Sequence, residues 1–126
     1  MQLRLVSLLL GLSPLGFAGT WSGYLVSSRC YQSAMNNGSQ DAGLVGRDMN
    51  RTLRQCAATY KTKKFGIVQN DWTSLKLDAA GNQKAAAIIH AAPKRSALYC
   101  VTVHGVRHKN RINTGTVTTA SVRRYR

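Results

Sequence analysis

The sequence predicts a mainly β domain, a five-stranded barrel with one short helix between the third and fourth strands. A second short helix falls in the first long connection. Three observations predict this. Segments 74–78 and 98–106 alternate in polarity and 112–122 is rich in Thr and Val, as half-buried strands are. An Ala-rich run over 83–92 is stopped by Pro93, as a helix would be. Val45, Met49, Leu53 and Cys56 recur at helical spacing. The chain of 126 residues is about one domain's worth, and its 44% hydrophobic content excludes wholesale disorder.

The elements follow in order. Residues 1–18 read as a removable leader. Arg4 supplies the positive start, Leu5–Leu12 the apolar core, and Gly16-Phe17-Ala18 the small residues a signal peptidase reads, with cleavage after Ala18. The apolar run is far below the roughly 20 residues a bilayer span needs. The mature chain is thus expected in the periplasm or outside the cell, without a transmembrane segment. It divides into a single domain over 19–122 and a basic tail over 123–126.

The first strand, Thr20–Tyr31, has Trp21, Tyr24, Leu25 and Val26 as strand formers, with Gly23 marking a bend, and ends near Cys30. Ser33–Gly46 reads as an exposed loop with a turn at Asn37-Gly38. An amphipathic helix, Arg47–Ala58, follows; its Met/Leu stripe packs on the body and presents Cys56 to it. Tyr60–Lys64 is a basic turn. Phe65–Gln69 and Trp72–Asp78 form a hairpin, with Leu75 and Leu77 on one face and Ser74, Lys76 and Asp78 on the other. The next helix, Gln83–Ala92, takes Asn82 as its N-cap. In the fourth strand, Leu98–Val106, Tyr99, Val101 and Val103 share one face and Cys100, Thr102 and His104 the other. Gly105–Arg111 reads as a basic loop, and Ile112–Val122 as the last strand. Five strands with a helix between the third and fourth is the element order of an OB-like barrel.

An oxidising compartment makes disulfides available to Cys30, Cys56 and Cys100. Three thiols allow three single pairs. Cys30–Cys56 is favoured, because the Gly- and Asn-rich stretch between them can close the loop. Cys100 is then either a buried thiol acting as a small hydrophobe or the link in a dimer of an otherwise monomeric protein. No pair has the close spacing of a zinc or redox motif.

Four segments carry a resemblance: WSGYLVSSRCY (21–31), CAATYKTKKFGIV (56–68), SLKLDAAGNQKAAAI (74–88) and YCVTVHGV with INTGTVTTASV (99–122). Together they resemble a family of small exported bacterial proteins that carry an OB-like domain of unknown function. There a Gly-Tyr-Leu-Val strand leads to a Cys, a second Cys precedes a Thr-Lys-x-Phe strand, and a Leu-Asp-x-x-Gly-Asn turn opens the helix. Here these correspond to Cys30, Cys56, Thr62 to Phe65, and Leu77 to Asn82. The resemblance implies an acid after the Val of the first strand, where this chain has Ser27. It implies a fold and a compartment, and no activity.

Charge bounds the function. There are 18 Lys and Arg against 4 acids, a formal +14, and no glutamate. The acids are Asp41, Asp48, Asp71 and Asp78, too few for paired-carboxylate catalysis or a hard-cation cage. No phosphate loop, dinucleotide fingerprint or nucleophile elbow is present, and no cofactor is expected. The basic residues Arg107, Lys109 and Arg111, supported by Lys63 and Lys64, predict an anion-binding site on the barrel, with nucleic acid or an acidic glycan as partner. Tyr60, Phe65 and Trp72 are candidate stacking surfaces. The alternative is a generally basic structural protein whose charge serves solubility or adhesion to an anionic envelope. His104 and His108 are the weaker candidates for a metal site, or for a phosphodiesterase or ribonuclease pair with Lys109 as cationic stabiliser.

Overall fold

The computed structural model describes residues 17–38, 45–91 and 97–124. Most of the expected leader, residues 1–16, lies outside them, as do the tip of the first connection and residues 125–126. In chain order the elements are β1 (Phe17–Ser27), α1 (Ser28–Gly38), α2 (Val45–Gln55), β2 (Phe65–Val68), β3 (Ser74–Leu77), α3 (Ala79–Ala91), β4 (Ala97–His108) and β5 (Arg111–Arg124). The strands hydrogen-bond in the closed order β1-β2-β3-β5-β4 and back to β1. β3 and β5 run parallel and every other pairing is antiparallel. The mainly β class, the five strands and the helix between the third and fourth are as the sequence predicts.

β1 serves two partners in succession. Phe17–Tyr24 pair with β4, and Tyr24–Ser27 pair with β2. Gly23 stands where the second partner begins. A Cβ there would lie 2.5 Å from the Val68 carbonyl oxygen, so only glycine lets the two backbones approach. Its first two residues, Phe17 and Ala18, belong to the predicted leader yet pair with Arg107 and Val106.

Alternation along the strands sends Leu25, Phe65, Ile67, Leu75, Val101, Val103 and Ile112 to the inside of the ring. α3 contributes Ala85 and Ile89 to the same core. Burying each large side chain contributes roughly 1.5–3 kcal/mol. The intervening residues Val26, Val68 and Leu98 point outward; Tyr31 of α1, Met49 and Leu53 of α2, and Cys56 just after α2 cover them. The expected Cys30–Cys56 disulfide fastens this outer layer across 26 residues, a closure that contributes roughly 3–4 kcal/mol in the chain-entropy model. Cys100 is free and half-buried, opposite Tyr24 and Ser121 on the outer side of β4.

Three expectations are corrected. First, residues 28–38 form a helix, where the sequence suggests a strand end and an exposed loop. The Ser27 hydroxyl accepts from the Cys30 N–H at 3.3 Å and caps it. Its apolar signal is only Tyr31 and Met35, one helical turn apart, hidden among Ser, Gln and Asn. Ser27 is thus the helix cap, a place where serine is among the preferred residues.

Second, α3 begins at Ala79 with Asp78, not Asn82, as its cap. One Asp78 oxygen accepts from Gly81 N–H at 3.0 Å and from Thr114 N–H at 3.2 Å. Burial pushes this carboxyl upward, but the Gly81 and Thr114 donors outweigh it and hold it below its ordinary value. Asn82 lies inside the helix and accepts from the Phe65 N–H at 2.9 Å, tying α3 to β2.

Third, Gly105–Arg111 is not a loop. β4 continues to His108, Lys109 and Asn110 make a two-residue turn, and Arg111 already pairs with His108. Lys109 takes the left-handed backbone conformation at φ 56°. β5 runs to Arg124, so the expected tail begins inside a strand, where Arg123 donates to the Tyr24 hydroxyl at 3.4 Å.

Candidate anion-binding groove

Residues directly opposite on neighbouring strands project to the same face. One such row runs Gly66, Lys76, Arg111 and His108 across β2, β3, β5 and β4. It shares its outward side with Val26, which pairs with Gly66. The next row, Leu77, Ile112 and Arg107, faces inward with the buried Ile112. This separates the predicted site residues. Arg111 stands outward beside Lys76. Arg107 turns to the inner side at the end of the ring, where its Nε donates to the Lys109 carbonyl at 2.6 Å and its charge helps hold Asp71 below the carboxylate range. The main cause of the Asp71 shift is the Thr73 hydroxyl, which donates to it at 2.6 Å.

The outward row borders a groove of about 140 Å³ between α1 and the β2–β3 hairpin. Ser28, Tyr31, Gln32 and Met35 form the helix wall. Gly66, Ser74, Leu75 and Lys76 form the strand side, and Asn110 of the β4–β5 turn closes one end. The Asn110 carbonyl accepts from the Lys76 N–H at 2.7 Å, which fixes the turn against β3. Gly66 keeps the floor low: a Cβ there would lie 3.1 Å from the Leu75 carbonyl oxygen and 3.5 Å from Ser28 Cβ. Among the described residues no carboxylate lines the groove.

Lys63 and Lys64 are exposed just before β2. The Lys64 carbonyl accepts from the Ser28 N–H at 3.0 Å, so this pair sits at the start of α1. Lys109 is exposed on the turn beside Asn110. The five predicted cations therefore occupy three places: Arg111 and Lys109 at the turn end of the groove, Lys63 and Lys64 at the helix start, and Arg107 inside the rim. Lys76, which the alternation of the sequence puts on a polar strand face, is the cation that lines the groove among the described residues. The strand order that sets β3 beside β5 was the missing signal.

Of the candidate stacking residues, Phe65 is 1% exposed inside the ring and Trp72 packs on the outer core with φ 70°. Tyr60 is 68% exposed, with the Lys61 ammonium 5.8 Å from its ring centroid. Tyr31 is buried beside the groove and donates to the Trp72 carbonyl at 2.7 Å. Burial, and secondarily Asp71, raise its phenol to about 12.

The histidine pair does not assemble. His104 and His108 lie four residues apart on one strand, roughly 13 Å at about 3.3 Å per residue. His104 Nδ1 instead meets the Thr20 hydroxyl at 2.9 Å. Among the described residues no group of three or more His, Cys, Asp or Glu could hold a metal ion. Among them, too, no helix is long and apolar enough to cross a membrane. No protein-family model, no curated protein and no solved structure matches the chain.

Proposed function

We propose that this protein is an exported, disulfide-stabilised, OB-like domain that binds an anionic polymer without turning it over. The observation that carries this function is the Lys76–Arg111 pair. Two cations stand directly opposite on neighbouring strands, at a groove that no carboxylate lines among the described residues. Like charges so placed repel and cost stability, and an anion bridging them removes that cost. The OB-like assignment draws support from the ring order, the parallel β3–β5 pairing and the helix that joins β3 to β4. In OB folds the face of strands two and three, next to the loop joining four and five, receives polymers, and a groove lined by β2 and β3 residues with Asn110 of the β4–β5 turn supports the same use here. Export is supported by the Cys30–Cys56 disulfide and by the leader-like residues 1–18.

The test is a salt series with single-stranded oligo-dT and polygalacturonate as probes. The parent chain binds with an affinity that falls with salt. The variant Lys76→Glu/Arg111→Glu loses most of that binding and lowers the salt slope by about two, roughly one per cation removed. Unchanged binding of both polymers by that variant, with an unchanged melting temperature, would overturn the proposed site.

A further inference from the structure

The polymer class can be narrowed, on the assumption that the Lys76–Arg111 groove is the binding site. We infer that the ligand is an acidic polysaccharide rather than a nucleic acid, and that its chain leaves the groove across the bare outer face of β5, β4 and β1. Two independent features of that face point to this.

The first is a hydroxyl grid. Thr20, His104 and Thr116 form one row across β1, β4 and β5, and Ser22, Thr102 and Thr118 form the next. All six are outward, five of them exposed and Thr102 half-exposed, and all but His104 carry a hydroxyl. The rows are preordered, since Ser22 and Thr102 hydroxyls lie 3.3 Å apart and Thr20 meets His104. Neighbouring strands are about 4.8 Å apart and same-face residues along a strand about 6.6 Å apart, which sets hydroxyls at intervals comparable with those of a pyranose chain. Each hydroxyl both donates and accepts, as a sugar hydroxyl requires. The grid lies farther along β4 and β5 from the row that holds Arg111 and His108, so one chain can meet cations and hydroxyls in turn.

The second is the lack of a stacking platform. Single-stranded nucleic acid gains about 1–3 kcal/mol for each base stacked on an aromatic ring. Among the described residues Phe65, Tyr31 and Tyr99 are buried, and Trp21, Trp72 and Tyr24 pack against the cores. The two highly exposed rings, Phe17 and Tyr60, stand outside both hydroxyl rows and the groove. Among the described residues only the half-buried Tyr24, in the row next to Ser22 and Thr102, offers a ring on this face, and its hydroxyl is held by Arg123, whereas a uronate has cations for its carboxylates and hydroxyls for its own.

The experiment compares polygalacturonate with oligo-dT of equal charge at physiological salt, using the full chain. Thr102→Val/Thr116→Val/Thr118→Val keeps shape and strand preference and removes three hydroxyls. It should weaken polygalacturonate binding about tenfold, the loss expected for two or three neutral hydrogen bonds, with oligo-dT binding and the salt slope unchanged. The Thr→Ser version of the same triple should bind as the parent does. Tighter binding of oligo-dT than of polygalacturonate overturns the inference. So does parent-like polygalacturonate binding by the Val triple, or equal loss in the Ser triple. These outcomes leave the groove standing, because only retained binding by Lys76→Glu/Arg111→Glu removes it.

Discussion

The ring has two outer surfaces that share strands and differ in fate. Over β2 and the neighbouring part of β1, the outward positions are Val26 and Val68, and with Leu98 they lie under α1 and α2. Farther along β1 and β4, the outward positions are Thr20, Ser22, Thr102 and His104, and no described element lies over them. The same backbone ladder runs under both. Polarity at alternate positions, not strand pairing, therefore decides which face acquires a second layer. The covered face spends its helices on stability and leaves a groove at their border. The bare face keeps polar groups available.

The sharpest break of this comparison is in the core beneath both surfaces. Phe65→Ala should cost about 3–5 kcal/mol and leave little folded protein at 37 °C, read by thermal unfolding. Removing the disulfide with Cys30→Ser/Cys56→Ser comes next, at about 3–4 kcal/mol. Its loss should fall on the covered face, so amides of α1 and α2 exchange faster while those of β4 at Val101–Val103 and of β5 at Val117–Thr119 stay protected. Equal loss of protection in both would mean that the outer layer and the ring form one cooperative unit.

Tyr31→Phe should cost about 1 kcal/mol by leaving the Trp72 carbonyl without its donor. Because the folded state raises this phenol from 10.0 to about 12, its contribution is present below pH 10 and lost as pH rises towards 12. Ultraviolet titration should show one tyrosine ionising last in the parent, and the variant should lack that late step. The smallest effect belongs to the bare face. Thr118→Val should change stability by no more than about 0.5 kcal/mol, by chemical denaturation, because that side chain is exposed.

Much of this was legible in the sequence. Alternation at Leu75/Leu77 and at Tyr99/Val101/Val103 marks the inward faces, and the Met49/Leu53/Cys56 stripe marks the outer layer. What escaped has identifiable causes. α1 carries two apolar anchors in a polar segment, too short a pattern for periodicity to register. The β4–β5 turn is Lys109-Asn110, which lacks the Asn-Gly or Asp-Gly signature of a tight hairpin, so a basic stretch looked like a loop. Nearness along the chain groups the predicted cations in the sequence, and the fold divides them. Arg107 and Arg111, four residues apart, end on opposite sides of the sheet because a two-residue turn lies between them. Lys76 joins Arg111 only through β3–β5 pairing, a non-local contact that no local pattern encodes.

That pairing has a mechanical consequence. The parallel contact that closes the ring consists of two residue pairs, Lys76 with Arg111 and Leu77 with Ile112, whereas β4 and β5 share twelve. A zipper so short is where the cylinder should breathe, and the two like charges beside it urge it apart. A polyanion laid across Lys76 and Arg111 would act as a clasp on this joint. Occupancy of the groove would then be felt as slower exchange of the Lys76 and Asp78 amides, which donate to Asn110 and Ile112 across it.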